Sequence, residues 1–437
     1  MSRRKAIANM TDTTTPVVLL RATRHGSLCA VRSLGELGIP VFVVDPSRWC
    51  PAVLSRYCRG YFPWDFETST AAESVRFLLD AAAKIGRRPI LMPTTDSSAL
   101  LVAHHADALK EAYDFPCQPP GLALALSNKA SMFHLARQCG VPTPDTFLPQ
   151  SRADVDAFLE TAELPVMLKA LDYDLLQHTF SGEGKQIAGS RDEVLLKYDQ
   201  MQNPGKPNLV LQEYIPGGDD TIWMFNGYFN RDSACLFGMT GQKIRQSPVY
   251  IGSTCLGICV RNDEVRNSTL RFMKALNYRG ILDIGYRYDA RDGQYKLLDV
   301  NPRIGSTFRL FAGDDNMDVA RALYLDLTGQ TIPPVAPRYG RKWMVEDTDL
   351  VSSIRYYRDG NLTARDWLKS FRGVEETAFL SVRDPLPAVA VLLSDTQELV
   401  ARISRAIGGH PARPSEQRDR FPNRSTKRRS VRVNMSP

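Results

Sequence analysis

Gly280-Ile281-Leu282-Asp283-Ile284-Gly285-Tyr286 and, one turn later, Lys296-Leu297-Leu298-Asp299-Val300-Asn301-Pro302-Arg303 are the stretches that decide how this 437-residue chain reads. Both are apolar runs with few polar interruptions, which is the composition of strands packed against a core. Asp292-Gly293 lies between them and suits a tight turn, so an antiparallel hairpin is expected. Side chains two apart on a strand share a side, which sets Asp299 beside Asn301. Asp283 on the partner strand adds a third oxygen donor to the same face. Such hard donors suit magnesium held against phosphates, with manganese as an alternative. One acidic strand residue alone more often faces solvent, and the argument for a site rests on the set.

Upstream, Lys169 is the only charge in Pro165-Val166-Met167-Leu168-Lys169-Ala170-Leu171. A buried ammonium needs a counter-charge, which a nucleotide phosphate would supply; the other reading is a lysine reaching the sheet edge. The strand Leu209-Val210-Leu211-Gln212-Glu213 runs into Tyr214-Ile215-Pro216-Gly217-Gly218-Asp219-Asp220, where a strand end offers an acceptor and a donor to an adenine ring. Ser181-Gly182-Glu183-Gly184-Lys185 offers amides and Lys185 to phosphate oxygens, although such a loop is often only a turn.

In their order along the chain, SNKASMFHLARQCGVPTP (127–144), PVMLKA (165–170), the glycine loop, LQEYIPGGDD (211–220), GILDIGYRYD (280–289) and LLDVNPR (297–303) resemble the ATP-grasp superfamily. The resemblance implies an α/β N-terminal domain of the Rossmann-like, pre-ATP-grasp kind. An α+β ATP-grasp domain of two subdomains follows, with a small C-terminal extension. It implies that Lys129 and Lys169 contact nucleotide phosphates, that Glu213 and Ile215 form the adenine hinge, and that Asp220 meets the ribose. Asp283, Asp299 and Asn301 become the metal ligands, and Arg303 holds the transferred phosphoryl group. The sequence departs from the family at Asp299, where glutamate is usual, and at Ala170, where proline is. GQKIRQSP (241–248) and, more loosely, RKWMVED (341–347) resemble the carboxylate-amine ligase branch.

The periodicity divides the chain into a tail-like start (1–15), an α/β domain (16–126), the ATP-grasp domain (127–335), an extension (336–407) and a basic tail read as disordered (408–437). Strands at 16–20 and 40–45 flank a helix over 26–37, and a further helix is expected over 97–109. The turn Ala22-Thr23-Arg24-His25-Gly26-Ser27 has one glycine and no dinucleotide fingerprint. Hydrophobic residues at 43% and charged ones at 24% argue against wholesale disorder. Eight cysteines without CxxC spacing, and a start without an apolar leader, point to a reducing, cytoplasmic setting and away from thiolate-bound metal. No apolar run is long enough to cross a bilayer. The net charge of +7 is concentrated past Ala401, where ten basic residues stand against two acidic ones, so the rest is close to neutral.

The chemistry this implies is ATP-dependent, ADP-forming ligation: a carboxylate is activated as an acyl phosphate and captured by an amine. Both substrates would be small molecules. Lys243, Arg245 and Arg309 are candidates for gripping substrate carboxylates. Arg24, His25 and Asp96, at strand ends of the first domain, are candidates for the acceptor pocket. Another ATP-grasp outcome, a carboxylase or a kinase, is an alternative. A binder of nucleic acid or of an anionic surface through the tail is an alternative of another class. Nothing in the sequence fixes the oligomeric state, and an oligomer is compatible with it.

Overall fold

Val17, Val18, Leu19 and Leu20 have no polar side to turn to water, and all four are buried. They form β1 (Val17–Leu20), which pairs in parallel with β2 (Val41–Asp45) and β4 (Ile90–Pro93); β3 (Cys58–Pro63) closes the order β3-β2-β1-β4. Val17 and Leu19 enter one core and Val18 and Leu20 another, so helices cover both faces of the sheet. Thr70 and Glu73 make a reciprocal cap on the helix Ala71–Ile85, which stops at Gly86 with φ 73°. The helix expected over 97–109 is broken at His105 into Asp96–His104 and Ala106–Leu109.

The computed structural model describes residues 11–22, 25–171, 185–203, 207–394 and 396. Arg24, the glycine-loop residues 181–184, residues 1–10 and the basic tail 408–437 lie outside the described residues. Within the tail-like start, the amides of Thr11 and Asp12 donate to Gln330 Oε1 at 2.9 and 3.2 Å.

A second, antiparallel sheet follows in the order β5-β8-β6-β7: β5 (Thr146–Phe147), β6 (Val166–Ala170), β7 (Lys185–Ala188) and β8 (Leu209–Glu213). Its apolar side packs on the helix Arg191–Met201 through Val194, Tyr198 and Met201. A third sheet has seven strands in the order β13-β12-β9-β10-β11-β14-β15. These are β9 (Ile222–Phe229), β10 (Cys235–Ser247), β11 (Ser253–Cys259), β12 (Gly280–Asp289), β13 (Gln294–Asn301), β14 (Lys342–Met344) and β15 (Val374–Thr377). The first two sheet regions follow the expected order of domains. The region after residue 336 is no separate body, because β14 extends the large sheet alongside β11 and β15 pairs in parallel with β14.

One core runs from the first sheet into the large one, joining Leu28, Val31 and Leu34 to Met224, Met239, Phe308 and Trp343. This shared core fixes the N-terminal helix His25–Gly35 against the loop that follows β13. A side chain at Gly26 would meet the Ser306 backbone at 2.8 Å. Among the described residues no helix is long and apolar enough to cross a membrane.

Candidate active site

Gly293, with φ 73°, turns the chain between β12 and β13, and the hairpin register sets Asp283 opposite Asn301 and Gly285 opposite Asp299. Because alternation is undisturbed at this end of the hairpin, all three candidate ligands emerge on one face. Asn301 Nδ2 lies 3.5 Å from both Asp283 Oδ2 and Asp299 Oδ2. Burial pushes the Asp283 carboxyl up to about 6, with Arg303 pulling it down and Asp299 adding to the rise. Burial also raises Asp299, but the ammonium groups of Lys129, Lys185 and Lys169 outweigh it and hold that carboxyl well below its usual range. Among the described residues no three His, Cys, Asp or Glu side chains gather as a metal cluster, so the donors are two carboxylates and one carboxamide. An all-oxygen set of this kind fits magnesium and would not select zinc.

The cations come from separate elements. Lys129 opens the helix Lys129–Gln138, capped by the Asn128 side chain, and pairs with Asp299. Lys169 on β6 is buried and donates to Gln212 on β8; burial, then Lys185 and Lys129, push its ammonium well below the usual lysine range. Lys185 on β7 stands opposite Lys169 and is lowered by burial, with Asp299 drawing it back. Lys243 on β10 donates to Gln246 Oε1 at 3.1 Å and Gly252 O at 2.8 Å, and burial followed by Lys185 brings it down to about 8. Four ammonium groups and Arg303 thus surround two carboxylates, an arrangement that invites a polyanion.

Arg303 makes a two-toothed contact with Asp96, at 2.6 and 3.2 Å, and also reaches Asn301 Oδ1 at 3.3 Å. Asp96 is the first residue of its helix, so the first domain directly touches the corner where the candidate metal ligands stand. The hinge strand ends at Glu213, whose carboxylate is taken by Arg291, by Lys296 at 3.5 Å and by the Asp145 amide at 3.0 Å. The Ile215 side chain is buried. The hinge can therefore offer a ring only its backbone. Arg287 braces it, lying over the Tyr214 ring at 5.1 Å and donating to Gly217 O. Asp220 sits in the short turn Asp219–Thr221, and its carbonyl accepts from Gln242.

Two sequence expectations fail here. Arg245, a candidate with Lys243 for gripping a substrate carboxylate, is flanked by register shifts that turn it to the other face. There its guanidinium meets both oxygens of Asp349 at 2.8 Å and Ser370 Oγ at 2.9 Å, with the pair almost wholly buried. Arg309 likewise spends its fork on Glu376, at 2.9 and 2.6 Å, and reaches Asp318 at 2.6 Å. Both arginines hold the extension to the large sheet and have no fork left for a substrate. His25 packs its ring against Trp343 and Phe379, with centroids 5.5 and 6.0 Å away. Two residues that the sequence reading did not single out belong to the site: Gln212, which partners Lys169, and Asn226 on β9, opposite Asp283. Asn226 is a lone amide in the apolar run Trp223-Met224-Phe225-Asn226-Gly227-Tyr228-Phe229, the same signal that singled out Lys169.

The chain is 27% identical over 305 residues to the D-aspartate ligase of Enterococcus faecium, a match covering 68% of this chain and 70% of the relative. Among solved structures it superposes on N5-carboxyaminoimidazole synthetase from Staphylococcus aureus in complex with ADP, with a TM-score of 0.59 and 13% identity over 76% of this chain and 82% of the other. It also superposes on an L-amino acid ligase from Bacillus licheniformis, with a TM-score of 0.55 and 14% identity over 74% of this chain and 76% of the other. No protein-family model matches the sequence. In fold and motif order the chain is similar to ATP-grasp enzymes. Among these it most resembles the carboxylate-amine ligase type, whose members form C–N bonds at the expense of ATP and release ADP.

Proposed function

We propose that the chain joins an amino acid to a second small molecule, one partner giving the carboxylate and the other the amine, with the triad Asp283, Asp299 and Asn301 as its metal-binding corner. The observation that carries the reading is the gathering of Lys129, Lys169, Lys185, Lys243 and Arg303 around Asp283 and Asp299. A carboxylate oxygen attacks the γ-phosphorus, ADP leaves, and the acyl phosphate forms. The amine then attacks the acyl carbon, phosphate leaves, and the ammonium proton passes to solvent or a nearby base. Asp283, Asp299 and Asn301 would hold magnesium, which would neutralise charge along the phosphate chain. Lys169 and Lys185 neutralise phosphate oxygens from above the cleft, Lys129 orients Asp299, and Arg303 stabilises the phosphoryl group in flight. Arg303 leaves Asp96 to do so, which makes Asp96 the group that parks Arg303 between turnovers.

The amino acid follows from the relative that acts as a D-aspartate ligase. A second carboxylate on the substrate would meet Lys243, the cation of the site farthest along β10. D-aspartate, L-aspartate and neutral amino acids therefore head a panel of carboxylates tested with and without amines for phosphate release from ATP. Release that needs both partners supports the ligase; ADP formed with carboxylate alone, with the phosphoryl group retained on the product and no phosphate released, favours a kinase. Eight unpaired cysteines support a cytoplasmic place. The excess of basic residues after Ala401 supports a polyanion contact by the tail.

A further inference from the structure

Asn226 is wholly buried on β9, and among the described residues neither its Nδ2 nor its Oδ1 completes a hydrogen bond. Its surroundings make this conspicuous. Two residues away on the same strand face are Met224 and Tyr228, both buried, and across the β10 ladder its register partner is Met239. An apolar side chain of similar size would fold better at that position, because a buried carboxamide without partners gives up its hydration for nothing. Its polar neighbour is across the other ladder, where Asn226 stands opposite Asp283, near enough for the amide to act on that carboxylate. Asp283 in turn stands opposite Asn301. Asn301, Asp283 and Asn226 thus form one row across β13, β12 and β9.

From the other side, Asp283 is closed in by Gly305: a side-chain carbon there would lie 2.5 Å from the Asp283 carboxyl carbon. The carboxylate thus has the Gly305 backbone on one side and faces the Asn226 position across the β9 ladder on the other. We infer that Asn226 is a positioning residue, which donates to one oxygen of Asp283 and so presents the other to the metal that accompanies the nucleotide. The inference rests on the metal and nucleotide reading above. It accounts for a polar group kept where folding alone would prefer leucine, since partners behind a metal-binding carboxylate fix its orientation and typically govern affinity.

The test is calorimetric titration of the full chain with MnADP and, separately, with ADP in EDTA. Wild type binding MnADP no more tightly than ADP in EDTA would overturn the metal reading itself. With that difference present in wild type, Asn226→Leu is expected to raise the Kd for MnADP about tenfold or more, to leave the Kd for ADP in EDTA unchanged, and not to lower Tm. An unchanged MnADP affinity overturns the inference, as does a loss that appears equally with and without metal. Asn226→Ala, which removes the same amide, repeats the comparison if the leucine variant does not fold, and the same two outcomes decide it.

Discussion

Asp299 sits among three ammonium groups and Asp283 beside Arg303, so the two carboxylates of the proposed corner have opposite environments: the first is held ionised, the second is pushed towards its neutral form by burial. A cation between them would relieve the second without disturbing the first. Asp299→Asn and Asn301→Ala are therefore expected to cut ATP turnover at limiting magnesium at least a hundredfold, with Tm close to wild type because neither side chain supports a core. Turnover near wild type in either variant would refute the assignment. Lys169 differs: it is buried and, among the described residues, donates to the neutral Gln212. Lys169→Ala should raise the Kd for ATP by the worth of one charge-assisted contact, roughly 1.5–3 kcal/mol; unchanged affinity with a large fall in Tm would make it structural. Lys243 provides a pH test. Its folded value, about 8 against an ordinary 10.5, means that the folded state sheds the proton first as pH rises between those values. Stability therefore increases over that window, and the charged form is a burden below pH 8. Lys243→Met should melt higher than wild type at pH 7, and the gap should narrow by pH 10. A gap independent of pH would contradict the burial argument.

At the scale of strands and loops, what the sequence could and could not tell has a common cause. Alternation located Asp283, Asp299 and Asn301 because β12 and β13 pair in regular register where those residues stand; their one irregularity falls between Gly285 and Tyr286, beyond Asp283. Arg245 was singled out by its side-chain chemistry alone, and its facing could not be read because β10 is irregular on both sides of it while Lys243-Ile244-Arg245 contains no glycine or proline to mark the break. Arg309 was misread for another reason: Glu376 lies 67 residues away, and no local pattern announces such a pairing. Asn226 was legible in principle, by the argument that found Lys169. The bulged strand makes its own prediction. Asp349→Ala leaves the buried Arg245 guanidinium without its partner and should cost about 3–5 kcal/mol of unfolding free energy, while the folded protein keeps its KM for ATP; a selective rise in KM would return Arg245 to the site. Gly305→Ala should do the reverse. Its new carbon would press on the Asp283 carboxylate, so metal-dependent nucleotide binding should fall sharply with little change in Tm.

Across the whole molecule, three sheets meet where one domain alone could not build the site. The small sheet brings Lys169 and Lys185, the large sheet brings Lys243 and the proposed oxygen ligands, and the first domain reaches Arg303 through Asp96. The described part of the chain carries this site without any residue after 396. Removal of residues 408–437 is accordingly expected to leave kcat/KM within tenfold, about 1.4 kcal/mol of transition-state stabilisation, and to weaken salt-sensitive binding to RNA or anionic vesicles. A larger catalytic loss would place the tail in the machinery. The claim at the centre of the account is that the carboxylate itself takes the γ-phosphoryl group before the amine attacks. Isotope transfer tests this most directly: a productive carboxylate labelled with oxygen-18 on both oxygens is turned over with ATP and amine, and the released phosphate is analysed by mass. Passage through an acyl phosphate moves one labelled oxygen into each phosphate; unlabelled phosphate alongside amide product would contradict it.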